Sequence, residues 1–348
     1  MKMKQRHIYW VLSVLAVCAC AKAPSEGRND DDKLYLESWI QVHHPDAVRT
    51  ALGAYVLEEV PGTGRAVGPA ADDPYVRVDY VASSLDGTVL STSLETLSKQ
   101  VGDYAFGNYY GPVIWNRGQG GLAAGVEESV SAMRIGGART IVLPGWLQTT
   151  ERFDTAQEYL DNIYGSTPVI YEIRLRDIVT DIEKWETDSL GAYVPGAFPG
   201  KTAADSLELG FYYFRTGAPS SEEKFSADTT IYINYVGRLL NGTVFDTNVK
   251  DSAKFYGIYS ASRTYAPSSV TFSKNDNSGD EDEEAEVDVT MGSSSVIPGF
   301  AKTLKQMHPH EKGAGLFCST FGYGSSGSGK AIPAYSPLRF DIEVVDKP

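Results

Sequence analysis

Val76-Arg77-Val78-Asp79-Tyr80 and Leu85-Asp86-Gly87-Thr88-Val89-Leu90, in the first half of the chain, return in the second half as Ile231-Tyr232-Ile233-Asn234-Tyr235 and Leu240-Asn241-Gly242-Thr243-Val244-Phe245. In each pair, β-branched and aromatic residues alternate until an Asp-Gly or Asn-Gly dipeptide, which accepts the positive φ that a tight turn needs. Both stretches therefore predict an antiparallel hairpin. Two further blocks match in the same order. Leu52-Gly53-Ala54-Tyr55 corresponds to Leu209-Gly210-Phe211-Tyr212, and Thr167-Pro168-Val169-Ile170-Tyr171-Glu172-Ile173 to Ser336-Pro337-Leu338-Arg339-Phe340-Asp341-Ile342. Four ordered matches indicate two copies of one domain. Late in each copy a short helix is expected. Gly125 precedes Val126, Val130 and Met133, and Gly299 precedes Phe300, Leu304 and Met307, each trio at i, i+4 and i+7. Other strands are expected over 55–60, 75–82, 139–143 and 169–175, so the class is α+β, one amphipathic helix laid on a mostly antiparallel sheet in each copy.

The copies are expected over 36–180 and 201–348, with Pro195, Gly196, Pro199 and Gly200 marking a linker over 181–200. With 348 residues, 42% of them hydrophobic, the chain can bury two cores; its net charge of −14 disfavours nucleic acid as a partner. At the N-terminus, Lys2, Lys4 and Arg6 precede an apolar stretch over 8–19, too short to span a bilayer and typical of an export signal. It ends Val17-Cys18-Ala19-Cys20, which resembles a bacterial lipoprotein signal over 1–19 with Cys20 lipidated, ordinary secretory cleavage nearby being the alternative. Residues 20–35 are polar and read as a flexible tether to the membrane. With Cys20 lipidated, Cys318 is the one thiol left, so no internal disulfide is expected; its apolar neighbours suggest a small buried hydrophobe.

In the second copy Tyr235-Val236-Gly237, Asn241 to Asp246, Val296-Ile297-Pro298-Gly299-Phe300, Phe321-Gly322-Tyr323-Gly324, Ala331-Ile332-Pro333 and Leu338 to Val344 resemble the FKBP-type peptidyl-prolyl cis-trans isomerases, the macrolide-binding immunophilins. The resemblance covers about 228–346. It implies two FKBP-like domains, each a curved antiparallel sheet wrapped around a short helix, and an apolar pocket in the second. Carried over residue by residue, the catalytic set is Asp246, Tyr323 and Phe245. The substrate-binding set is Tyr235, Val287, Val296, Ile297, Phe300, Ile332 and Phe340, with Phe300 in place of the usual indole floor and Val287 where an aromatic wall often stands. Rotating an X–Pro amide means breaking its resonance, a barrier of roughly 18–20 kcal/mol. The planar amide is the more dipolar state, so a dry aromatic pocket disfavours it relative to the twisted one. No bond is made or cut, so no metal and no cofactor is expected. The Tyr323 hydroxyl would hold a substrate carbonyl, and Tyr235 would brace Asp246. Partners would be proline-containing polypeptide clients, and macrolide inhibitors would share the pocket. The lipoprotein signal implies a lipid anchor in the cell envelope, facing periplasm or cell surface. Ala21 after Cys20 lacks a retention aspartate and favours the outer membrane. Oligomeric state is left open, and the rival reading is a non-catalytic chaperone or surface binding lipoprotein on the same fold.

The first copy departs where the chemistry would be. Tyr80 matches Tyr235, but Leu90-Ser91 stands for Phe245-Asp246, Leu122-Ala123 for the apolar pair, and Val126 for Phe300. Tyr164-Gly165 could serve as its Tyr-Gly block after an insertion over about 148–162. A degenerate, inactive pocket is expected, the copy serving in packing, dimer formation or client holding. The second copy carries a long insertion over 247–286, with aromatics and the acidic run Asp280 to Glu284. That run reads as a solvated loop, since counting back from Gly279 puts Lys274 at the first ligand position of an EF-hand. Gly118-Gln119-Gly120 lacks the third glycine and the parallel βαβ context of a dinucleotide loop. His43-His44 and the pair His308 and His310 could meet on a metal, but read more simply as surface histidines.

Overall fold

The computed structural model describes residues 29–118, 120–274 and 287–348. The signal segment, Cys20 and the acidic run lie outside the described residues. The first copy comprises α1 (Asp30–His43), β1 (Val48–Arg49), β2 (Tyr55–Val60), β3 (Tyr75–Ser84), β4 (Val89–Thr92), α2 (Glu95–Val101), β5 (Val113–Asn116), α3 (Ala124–Ser131), β6 (Ala138–Leu143), α4 (Ala156–Asn162) and β7 (Val169–Val179). Helix α5 (Ile182–Ala197) leads to the second: β8 (Phe211–Gly217), β9 (Thr229–Leu239), β10 (Val244–Thr247), α6 (Lys250–Phe255), β11 (Ser268–Lys274), β12 (Val287–Met291), β13 (Ser294–Ser295), α7 (Pro298–Gln306), β14 (Lys312–Phe317) and β15 (Leu338–Val345).

Both sheets are antiparallel, and the repeat reaches the register. One runs β1-β2-β6-β7-β3-β4 with β5 on β3; the other runs β13-β12-β11-β9-β15-β14-β8 with β10 on β9. Strands β2, β6, β7 and β3 thus stand in the order of β8, β14, β15 and β9. Ala82 faces Ser91 and Val81 faces Thr92, as Gly237 faces Asp246 and Val236 faces Thr247. Even the turn after the hairpin is shared. The Tyr80 amide donates to Ser93 Oγ and the Tyr235 amide to Asn248 Oδ1, both at 2.9 Å, and each is followed by a short helix, α2 or α6.

Each copy packs its sheet on the helix that the i, i+4, i+7 spacing predicted. Val126, Val130 and Met133 are buried in one core, Phe300, Leu304 and Met307 in the other. Pro298 opens α7 where its missing N–H costs nothing. Burying Phe300 and Leu304 stabilises by roughly 1.5–3 kcal/mol apiece. Gly299 is required for the close approach, because a Cβ there would fall 2.3 Å from the Phe317 ring.

Three expected boundaries are corrected. The tether does not extend to residue 35. Asp30, Asp31 and Asp32 occupy the first turn of α1, where the helix dipole favours carboxylates, and Leu36 and Ile40, one turn apart, bury its inner face. The expected linker is the packed helix α5, capped by Asp181 on the Lys184 amide at 2.9 Å, with Leu190 and Val194 fully buried. Pro195 falls in its last turn, so it does not break it. The insertion over 247–286 is not one loop. It contains the sheet strand β11, whose Val270 and Phe272 are buried, and α6, which has its counterpart in the first copy. What the second copy adds is β12 with β13, since β5 on β3 already answers to β11 on β9.

Candidate functional site

The sequence-derived site residues come from separate segments, and the sheet brings all but one of them together. Val287, opposite Lys274 and so beyond the Thr229 end of β9, stands away from Tyr235 and is no pocket wall. β9 carries Tyr235 and β10 carries Phe245 and Asp246, while Val296 and Ile297 precede α7, which supplies Phe300. Tyr323 and Ile332 lie in the connection before β15, and Phe340 in β15. Tyr235, Phe300, Ile332 and Phe340 are buried in one apolar cluster. Phe245, Val287, Val296, Ile297 and Tyr323 pack on it while staying part-exposed. The rings meet edge to face, Phe300 on Phe340 at 5.0 Å, Phe245 on Phe340 at 5.6 Å and Tyr235 on Phe300 at 5.8 Å between centroids. That geometry suits aromatic quadrupoles and fixes a ring-walled apolar surface with a half-exposed edge. Gly237 makes room for it: a Cβ there would lie 2.7 Å from the Phe245 ring and 2.8 Å from that of Phe340.

A single carboxylate stands at this surface. Asp246 Oδ2 accepts the Tyr235 hydroxyl at 2.7 Å, and its Oδ1 is ion-paired with Arg263, whose Nη2 also donates to the Tyr235 oxygen at 3.3 Å. Burial, and then the Asp246 charge, hold the Tyr235 phenol well above its ordinary range. Burial opposes the Arg263 charge, yet the Asp246 hydrogen bond and field outweigh it and raise its pKa. The phenol therefore stays neutral and the guanidinium charged. The Tyr323 phenol is raised too, by burial and then by Asp246, and stays a protonated donor. Chemically the arrangement offers an apolar seat, one hydroxyl donor and a braced carboxylate, with no nucleophile.

Arg263 was not singled out by any sequence pattern. It comes from the loop between α6 and β11, stacked over Tyr265 at 5.5 Å. Only its charge beside a run of aromatics could have flagged it.

In the first copy the equivalent positions are poorer. Tyr80 tilts against Trp115 at 5.4 Å, and Ser91 faces Ala82 where Asp246 faces Gly237. Tyr164 is exposed and its hydroxyl donates to the Asp161 carbonyl beside it, so it does not serve as a counterpart of Tyr323. Among the described residues no group of three or more His, Cys, Asp and Glu side chains could hold a metal. His308 instead contacts Glu311 and His310 contacts Asp346.

Residues 268–345 match the family profile described as FKBP-type peptidyl-prolyl cis-trans isomerase. A short-type peptidyl-prolyl cis-trans isomerase of Methanocaldococcus jannaschii is 37% identical over 70 residues, 20% of this chain and 44% of that protein. Human peptidyl-prolyl cis-trans isomerase FKBP9 is 23% identical over 273 residues, 78% of this chain and 34% of its own. A macrophage infectivity potentiator of Trypanosoma cruzi is 26% identical over 142 residues, 41% and 55%. The chain thus spans between 34% and 55% of these relatives' lengths. Tyr235, Phe245 and Asp246 precede the matched span, and the β9–β10 pairing is what adds them to its site. Together, the matched residues and the sheet that β9 completes make the second copy a domain of the FKBP-type peptidyl-prolyl cis-trans isomerase family.

Proposed function

We propose that the second copy catalyses cis–trans isomerisation of X–Pro bonds in exported polypeptides, and that the first copy does not. The observation carrying this is the four-ring cluster of Tyr235, Phe245, Phe300 and Phe340 edged by one braced carboxylate. The proline ring is seated on Phe245, Val296, Ile297, Phe300 and Phe340, in surroundings that favour the less dipolar twisted amide. Tyr323 donates to a substrate carbonyl, and Asp246, held by Tyr235 and Arg263, faces the amide. The first copy, with Ser91 and Val126 at the matching positions, lacks both acid and aromatic floor. Macrolides of the class that this family binds compete for the same seat. The anchor is Cys20, lipidated after cleavage at the envelope; Cys20→Ser releases the protein into the soluble fraction, and retention of that variant on membranes overturns the anchor.

The test is a proline-peptide isomerisation assay on the full chain. Asp246→Ala and Tyr323→Phe lower kcat/KM by about tenfold or more, the size expected for losing a group matched to the transition state. An inert wild type that still suppresses client aggregation supports the binding-protein reading instead. That reading has its own observation, the exposed Phe106 and Phe255 where the copies meet.

A further inference from the structure

The segment 323–335 carries two side chains of the site, Tyr323 and Ile332, yet it is held at both ends by groups from outside the second copy. Before it, Glu186 of α5, 2% exposed, accepts the Ser319 amide with one oxygen and the Ser319 hydroxyl with the other, the latter at 2.6 Å. The Ser319 carbonyl accepts the amides of Gly322 and Gly324, both at 2.8 Å, so the turn presenting Tyr323 hangs from that residue. At the far end Tyr335 stands at φ 58°, a conformation that an L residue keeps only where its surroundings over-determine it. Beyond its own amide, which donates to the Gly324 carbonyl at 2.9 Å, those surroundings belong to the first copy and α5. The Tyr335 ring is buried with Ile114 and Val179 and edge-on to Tyr75 at 5.2 Å, and its hydroxyl accepts Asn116 Nδ2 at 3.1 Å. Between the ends, the Lys330 carbonyl accepts the Tyr109 amide at 2.9 Å and its ammonium pairs with Asp103 at 2.6 Å.

The first copy's own recess faces the same segment. About 170 Å³ in volume, it is lined by Tyr80 and Ser91, the counterparts of Tyr235 and Asp246, and by Lys330 and Pro333 of the second copy. The face that would receive a client in an active copy is here turned to its neighbour's substrate loop.

We propose that the first copy and α5 act as a splint for segment 323–335, with Asn116, Tyr335 and Glu186 as positioning residues that set how tightly the second copy holds substrate. This rests on the isomerase reading for its kinetic consequence, though not for its structural one. A rigid segment keeps Tyr323 and Ile332 in place before substrate arrives, so the cost of ordering them is not charged to binding. Loosening it raises KM and leaves kcat, which depends on groups that still meet the bound amide.

Two readouts on the full chain test this. In Asn116→Ala and in Glu186→Ala, amide hydrogen exchange within 323–335 accelerates by about tenfold and KM rises by about fivefold with kcat kept within about twofold, the scale of one hydrogen bond. Glu186→Gln, whose amide can still accept from the Ser319 N–H and donate to its hydroxyl, behaves as wild type. Asn116→Ala combined with Tyr335→Phe is no worse than either alone, because both remove one bond. Unchanged exchange in Asn116→Ala and Glu186→Ala overturns the splint. So does a fall in kcat that tracks a lowered melting temperature, the mark of a merely structural role. A wild type inert on every peptide sinks the isomerase reading, while the exchange result still decides the splint.

Discussion

Gly237 decides whether the pocket can exist, and Ala82 shows what happens without it. At Gly237 the rings of Phe245 and Phe340 close over the backbone to distances that leave no room for a methyl group. In the first copy that methyl is present, and the residue facing the matching end of the hairpin is Ser91. We expect Gly237→Ala to cost about 1–3 kcal/mol, as overpacking does, and to lower kcat/KM by more than tenfold through displacement of Phe245. Thermal unfolding and the peptide assay together check this, and a fully active, equally stable variant sinks it. By the same reasoning, exchanging Leu90-Ser91 for Phe-Asp does not restore a pocket while Ala82 remains. The pocket's apolar set could be read from the sequence because each member sits in a block with strand or helix spacing. Gly237 could be read as part of such a block, but the reason for a glycine there is a tertiary contact with two rings from other strands. Arg263 lies 17 residues beyond its carboxylate in a stretch with no period, so only the folded loop discloses it.

Among the elements, α5 is the one whose sequence misleads. Its Pro195, Gly196, Pro199 and Gly200 suggest a break, but they fall at the helix end, while Leu190 and Val194 bury one face and Glu186 a third position. Glu186 leaves a titration signature. Burial raises its carboxyl pKa, and the Ser319 hydrogen bonds only partly offset this. Between the ordinary carboxylate pKa near 4.3 and that raised value, the folded chain keeps a proton that the unfolded chain has released. Stability therefore falls as pH rises through this window, and is unaffected by this group below it. Urea midpoints of wild type minus those of Glu186→Gln should decline with rising pH above about 4.3 and then level off. A difference independent of pH rules this out. Strand β12 was legible only as extra length, and the strand character of 268–274 is masked in the sequence by Ser269, Thr271 and Ser273, which alternate with the buried Val270 and Phe272.

Over the whole molecule, the repeat was plain in the sequence, whereas the joining of its halves was not, since nothing periodic marks an interface between copies. α5 packs on both copies, outside their main cores. Its Ile182 and Trp185 pack with Ile114, Val179 and Tyr335, and its Leu190 and Val194 with Phe214, Ala314 and Leu316. A helix shared in this way cannot leave one copy without exposing the other, so the copies should unfold as one unit despite being separate repeats. The chain carries its own reporters for each half. All five tryptophans (Trp10, Trp39, Trp115, Trp146 and Trp185) precede the second copy, and Cys318 lies within it. Cys318 is 3% exposed, and burial beside Glu186 pushes its thiol up to about 12, so at neutral pH it resists alkylation until its surroundings open. Tryptophan fluorescence and alkylation of the Cys318 peptide should therefore report the same urea midpoint. Leu190→Ala should lower both midpoints together, by the equivalent of about 2–5 kcal/mol for a fully buried leucine. Alkylation at a urea concentration that leaves the tryptophans native would show that the second copy opens alone, and that α5 joins the copies without coupling them.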